Sequence, residues 1–213
     1  MDTTKQSAGA GSAGAPPAPQ LLTERLFVEL ATPAHAALHA AHFAANREHF
    51  RRWDPPRGAV ESERYWSRAL AGALPEFEAG QSVRLVALPR EGPADRLVAR
   101  VNFTLIARGP FQSCMLGFAV DRDFEGRGLM FEALAASIDW LFDTLKLHRV
   151  QASHRPENER SRRLLARLGF AVEGLARQYL FIDGAWRDHV INARLNPRFD
   201  DSVFAASAAP APD

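Results

Sequence analysis

Residues 113–145 read SCMLGFAVDRDFEGRGLMFEALAASIDWLFDTL, and this stretch decides the fold. Its first part, Ser113 to Val120, is nearly all apolar, as a central strand buried on both faces requires. Its last part, Leu129 to about Leu145, places Met130, Leu134, Ile138, Leu141 and Leu145 at spacings of three and four, which marks one apolar helix face. Between them stands Asp123-Phe124-Glu125-Gly126-Arg127-Gly128. Two glycines let the backbone turn tightly and approach a ligand closely. The N–H groups opening the next helix point outward, and its dipole favours negative charge. Arg127 adds a cation, so the loop suits a pyrophosphate. A plain glycine turn opening a helix is the other reading of the same residues. The loop lacks the Gly-Lys-Ser/Thr ending of a triphosphate loop, and Phe131 stands where a dinucleotide fingerprint has its third glycine.

Working outward, Leu22 to Leu30 alternates loosely and reads as a strand. Thr32-Pro33 matches an N-cap with proline at the first helical position, opening a helix over Ala34 to about His49. Trp53-Asp54-Pro55-Pro56-Arg57-Gly58 reads as a loop, and Glu61 to about Ala79 as a second helix ended by Gly80. Ser82 to Leu88 and Leu97 to Ile106 read as strands joined by the polar turn Pro89 to Asp95. On the other side, His148 to Ser153 is a strand, and Asn158 caps a helix that ends at Gly169. Val172 to Ile182 and Trp186 to Leu195 flank Asp183-Gly184, a hairpin turn signal. The order is strand, two helices, three strands, helix, strand, helix, two strands: a mixed α/β sheet rather than a regular alternation.

Composition bounds the rest. The chain has 213 residues with 46% hydrophobic and 24% charged, the range of a globular domain. Residues 1–19 and 200–213 read as disordered tails poor in large apolar side chains, leaving one domain over 20–199. Lys plus Arg number 26 against 25 Asp plus Glu, which gives no bulk drive toward nucleic acid or membrane. No run is long and apolar enough to span a bilayer and no signal peptide opens the chain, so a cytoplasmic location is the default. The single cysteine, Cys114, excludes an internal disulfide and reads as a buried inert thiol. His35 and His39 are four apart on a helix, but no third ligand accompanies them, so no metal is expected.

Several blocks in order extend the pattern. Gly128-Leu129-Met130-Phe131-Glu132-Ala133-Leu134, Leu147-His148-Arg149, Leu164-Leu165-Ala166-Arg167-Leu168-Gly169-Phe170 and Ile182-Asp183-Gly184-Ala185-Trp186-Arg187-Asp188-His189-Val190 stand from the glycine loop onward. Asn46-Arg47-Glu48 and Trp53 with Asp54 and Pro55 stand before it. Over Leu21 to Leu195 the chain resembles the RimJ/RimL-type N-acetyltransferases of the GNAT superfamily, which acetylate ribosomal-protein N-termini. The resemblance implies an α/β (α+β) GNAT fold: a single mixed, mostly antiparallel sheet splayed at its centre and flanked by about four helices. It also implies acetyl-coenzyme A as cosubstrate, a protein N-terminus as acceptor and no direct nucleic-acid partner. A monomer or homodimer fits equally. One departure is that Asp123 stands where the family's loop carries Arg or Gln.

Site residues follow from the same resemblance. Glu125, Gly126, Arg127, Gly128, Leu129 and Met130 hold the coenzyme phosphates. Phe118, Ala119 and Val120 offer backbone groups to its pantetheine arm, in a slot where the sheet splays; as residues alone they are ordinary core strand. Ser161 is the proton donor to the leaving thiolate, and Asn158 orients the cofactor arm; as residues alone they form a helix cap. Trp53 walls the acceptor groove, and Tyr179 and Asp188 line it. RimL-type relatives place a glutamate where this chain has Leu180, so the base is open, with water, Glu48, Tyr179 or Asp188 as candidates. N-terminal protein acetylation is the leading function. Acetylation of a small amine, or a ribosome-associated binding role, are the alternatives, since a fold does not choose among them.

Overall fold

A computed structural model describes residues 15–55, 60, 62–92 and 94–208. The secondary elements are β1 (Gln20–Leu22), β2 (Leu26–Leu30), α1 (Ala36–Ala45), α2 (Arg47–Arg51), α3 (Glu63–Glu78), β3 (Val83–Pro89), β4 (Ala99–Ala107), β5 (Ser113–Val120), α4 (Leu129–Trp140), β6 (Arg149–His154), α5 (Glu159–Arg167), β7 (Ala171–Ile182) and β8 (Ala185–Leu195). They form one eight-stranded sheet in the order β1-β2-β3-β4-β5-β6-β8-β7. Every pairing is antiparallel except β5 with β6.

Both faces of the sheet are covered, which explains the unbroken apolar strands. Successive residues of β3 go to different cores. Leu85 and Ala87 join Leu134, Ile138 and Leu141 of the α4 side. Val86 and Leu88 join Phe43, Phe50, Trp66 and Leu70 of the α1–α3 side. The apolar stripe read from the sequence, Met130, Leu134, Ile138, Leu141 and Leu145, is buried throughout. Its last two members lie in a π-helical turn, Leu141–Leu145, which ends at Lys146 with φ +52°.

Three elements differ from the sequence reading. The strand expected over 22–30 is a hairpin: Gln20 pairs with Glu29 and Leu22 with Phe27. Its turn is made by Thr23, whose Oγ1 accepts the Leu26 N–H at 2.9 Å and donates to Glu132 Oε1 on α4 at 2.6 Å. The helix expected over 34–49 breaks at Asn46, giving five α-helices in place of about four. Asn46 leaves helical geometry (φ −110°, ψ 15°) because its side chain is held elsewhere. Its Nδ2 donates to Asp121 Oδ2 at 2.9 Å, and its Oδ1 accepts the Arg122 N–H at 2.9 Å. The segment read as a C-terminal tail carries a 3₁₀ helix, Asp201–Ala208. Pro56, Arg57 and Gly58 of the expected loop, and Glu61 at the expected start of the second helix, lie outside the described residues.

The fork in the sheet positions the site. The β5–β6 register runs Ser113↔Arg149, Cys114↔Val150, Met115↔Gln151 and Leu116↔Ala152, and stops there. β5 continues to Val120, while β6 stays paired with β8 to His154↔Val190. The two strands thus part beyond Leu116, and the β6-facing backbone of residues 117–120 has no strand beside it.

Candidate active site

A cleft of about 830 Å³ opens at this fork. Its lining draws on Phe118, Ala119 and Val120 of β5, on the loop and α4 start at Phe124, Gly126 and Gly128, on α5 from Asn158 to Ser161, and on Trp53 and Asp54. The loop after β5 is built by two left-handed glycines, Gly126 at φ +74° and Gly128 at φ +78°. Gly128 is the N-cap of α4. Both positions need glycine, since a Cβ disfavours this backbone. The α4 N–H groups therefore open into the cleft beside Leu129 and Met130.

The loop is held from below. Asp121 accepts from Asn46, from the Asp123 N–H at 2.9 Å and from Arg96 at 3.1 Å. Burial alone raises its pKa. The His42 ring 3.7 Å away, the bonds from Asn46 and the Asp123 N–H, and the Arg96 charge outweigh burial and hold the carboxyl well below the usual range. Asp123, where the resemblance implied Arg or Gln, is tied to the Arg96 guanidinium at 2.8 Å.

Most of the residues singled out from sequence come together here. Phe118, Ala119, Val120, Glu125, Gly126, Gly128, Leu129, Met130, Asn158, Ser161 and Trp53 all line the cleft. Asn158 Oδ1 accepts the Ser161 N–H at 3.1 Å, a side-chain cap that places the serine at the first turn of α5. Trp53 is flanked by the Arg52 guanidinium at 4.8 Å and that of Arg155 at 5.6 Å. Three residues fall elsewhere. Arg127 stands beside the loop with its guanidinium 5.7 Å from the Phe124 ring. Tyr179 packs on His189 at 5.5 Å, away from the cleft lining. Asp188 accepts the Gln178 N–H at 2.8 Å and so caps a bulge where Gln178 has φ +47°. Leu180 carries no acid, and Glu48 is exposed beside Arg51.

Sequence reading missed the arginines that shape the walls. Arg100 of β4 is 4% exposed, bonded to Asp54 and covered by the Phe43 ring at 4.5 Å. Arg155 donates to the Arg52 carbonyl at 2.8 Å and pairs with Glu157. It bridges the β6–α5 connection to the 52–54 wall. Neither arginine had a local signal, because a strand arginine and a turn arginine look like surface residues until their partners are known. Among the described residues, the carboxylates that line the cleft are Asp54, Glu125, Glu157 and Glu159. Each faces an arginine: Arg100, Arg160, Arg155 and Arg162 respectively. Arg163 and Arg167 add further positive charge on α5.

A glycine cradle at a helix N-terminus, a cationic flank and an open strand edge suit a long ligand carrying phosphates at one end. Among the described residues no group of three or more His, Cys, Asp or Glu is disposed to hold a metal ion. No helix among them is long and apolar enough to cross a membrane. Burial pushes the Cys114 thiol up to about 12, the state of an unreactive core cysteine.

Comparison with known proteins gives the same assignment. The acetyltransferase (GNAT) domain model matches residues 25–171. The ribosomal protein uS5-alanine N-acetyltransferase of Escherichia coli is 40% identical over 185 residues, covering 85% of this chain and 93% of that protein. The crystal structure of ribosomal-protein-S5-alanine acetyltransferase from Vibrio fischeri superposes with a TM-score of 0.82 at 31% identity, over 85% of this chain and 99% of that one. Mycobacterium smegmatis RimJ, solved with a coenzyme A disulfide, gives 0.75 at 28% identity over 85% and 88%. With the forked sheet, the double-glycine loop and these matches in agreement, this chain belongs to the GNAT family of acetyltransferases.

Proposed function

We propose that the chain transfers an acetyl group from acetyl-coenzyme A to the N-terminal amine of a protein, an N-terminal alanine of a ribosomal protein, in the cytoplasm. One observation carries this choice among amines: among the described residues, the four carboxylates lining the cleft are each matched by an arginine, which leaves them little charge to offer a polycation. Polyamines and aminoglycosides need such a surface, whereas a single neutral amine at a chain end does not. The names borne by the relatives point the same way.

Bound acetyl-coenzyme A would supply an activated thioester carbonyl. Gly126, Gly128 and the α4 N-terminus would hold its diphosphate, with Arg163 and Arg167 contributing charge. The unpaired edge of Phe118 to Val120 would carry the pantetheine arm as an added strand. A backbone N–H on that edge would also polarise the carbonyl. The wall of Trp53 and Asp54 would confine the acceptor.

An α-amine has a pKa of about 8, so roughly a tenth is neutral near pH 7 and needs no strong base. The amine nitrogen forms the new bond to the carbonyl carbon, the carbon–sulfur bond breaks, and the amine proton leaves to water. Ser161, which lines the cleft, would donate its hydroxyl proton to the departing sulfur and regain one from water. Asn158 fixes the serine backbone, and so the start of the helix that carries it, through the helix cap.

Steady-state transfer from acetyl-coenzyme A tests the reading. Peptides beginning with alanine should be acetylated with kcat/KM at least tenfold above spermidine or kanamycin. Preference for either polyamine would assign a small-molecule substrate. Tight coenzyme binding with no amine accepted would assign a binding role.

A further inference from the structure

The N-terminal hairpin reaches across the molecule to the phosphate loop. Arg25, at the β1–β2 turn, donates from Nη1 to the Arg127 carbonyl at 2.9 Å. Arg127 is the residue between the two left-handed glycines. The rest of Arg25 is fixed by one partner, Glu132 of α4. Its backbone N–H meets Oε1 at 2.7 Å and its Nε meets Oε2 at 2.8 Å, and a second guanidinium nitrogen lies 2.7 Å from Oε2. The guanidinium lies against the loop backbone, with Nη2 3.5 Å from where a Cβ on Gly128 would stand. Arg25 does not line the cleft.

We infer that Arg25 is a positioning residue for the phosphate loop, holding the Arg127 carbonyl so that the Gly126–Gly128 cradle keeps its N–H groups turned toward a coenzyme diphosphate. The inference rests on the proposed coenzyme reading. The peptide joining Arg127 to Gly128 has its carbonyl on one side and its N–H on the other, so fixing the carbonyl fixes where the N–H points. A loop with two glycines has many backbone states to lose when a ligand orders it. A charge-assisted bond made beforehand removes part of that cost and so tightens binding without touching the ligand. Glu132 sets the direction of the fork through Oε2, while Thr23 bonds its other oxygen, Oε1, at 2.6 Å.

Calorimetry with coenzyme A on the full chain, paired with steady-state kinetics, tests this. Arg25→Met should weaken coenzyme A roughly tenfold, the effect of one charged hydrogen bond, and raise KM for acetyl-coenzyme A with kcat unchanged. Arg25→Lys, which can reach one of its two partners but not both, should fall between the two. Thr23→Val should lower the melting temperature yet leave coenzyme affinity within about twofold, since the bond to Arg127 survives. That pattern separates loop positioning from simple stapling of the hairpin to α4. Should Arg25→Met not fold, Arg25→Lys carries the comparison through its KM. Wild-type binding matched by the arginine variants, or affinity that tracks melting temperature across all three, would overturn the inference. An absence of heat in the wild type would instead remove the coenzyme reading itself.

Discussion

Asp54, at the foot of the wall that carries Trp53, is bonded to the buried guanidinium of Arg100 near the start of β4. The guanidinium is enclosed by Phe43 at 4.5 Å and Phe50 at 5.3 Å, so the pair ties one side of the cleft to the sheet through an aromatic layer. Replacing Asp54 by Ala strips a buried cation of its carboxylate. The expected loss is about 3 kcal/mol, the low end for a buried pair because Asp54 keeps some solvent. Acceptor KM should rise several-fold while coenzyme affinity holds. Urea unfolding and two-substrate kinetics measure both, and an unchanged acceptor KM would separate the pair from acceptor binding.

Ser161→Ala should lower kcat by about 10- to 100-fold, the usual range for losing one proton donor. Coenzyme affinity should stay within twofold, because the serine backbone, not its hydroxyl, takes the Asn158 cap. Asn158→Ala removes that cap and should cost about 1 kcal/mol in stability as well as activity. If the serine variant keeps full kcat, another donor serves the leaving sulfur.

Gly128 sits at φ +78°, where an L side chain is strained, although space for a Cβ exists. Gly128→Ala should destabilise the fold by about 1–2 kcal/mol or flatten the loop to escape the strain. Either outcome weakens coenzyme A, which titration calorimetry reads. Retained affinity with retained stability would mean that the left-handed turn is dispensable.

Asp188 is offered as the control for the site. It caps the Gln178 N–H on the bulged part of β7 and stands outside the cleft lining. Asp188→Asn should leave kcat/KM within twofold, and Asp188→Ala should lower stability by about 1 kcal/mol. A large fall in kcat with intact folding would bring the carboxylate into the chemistry.

Stability should fall in mild acid because of the histidines under α1. Burial, opposed in part by its bond to the His35 carbonyl, lowers His39 to about 4 from the usual 6.5. His42 is lowered by burial too, partly offset by Asp121. His39 is neutral when folded, so the unfolded chain binds more protons between about pH 4 and 6.5, and His42 acts in the same direction. The stabilisation is complete above pH 6.5 and drains away as the pH drops toward 4. For His39 it amounts to about 3 kcal/mol. Unfolding midpoints at pH 7 and pH 5 read it, and His39→Phe should flatten the difference. An unchanged slope in that variant would assign the acid sensitivity to carboxylates.

By itself the sequence determined the parts whose cause is local. The double-apolar strand at Ser113–Val120, the glycine loop, the α4 stripe, the Asn158 cap and the Asp183-Gly184 turn each follow from neighbours within a few positions, where periodicity and cap chemistry act. Cleft residues drawn from these elements were legible because the fork, the loop and the α5 start adjoin one another in any such sheet. The tertiary structure alone decided the rest. It turned Leu22–Leu30 into a hairpin through Thr23 and Glu132, broke the first helix at Asn46 to reach Asp121, buried Arg100 against Asp54, and left Tyr179 and Asp188 outside the cleft. The first three of these rest on a polar bond between residues far apart in the chain. Such a bond leaves no periodic trace, because its strength depends on a partner that folding alone brings within 3 Å.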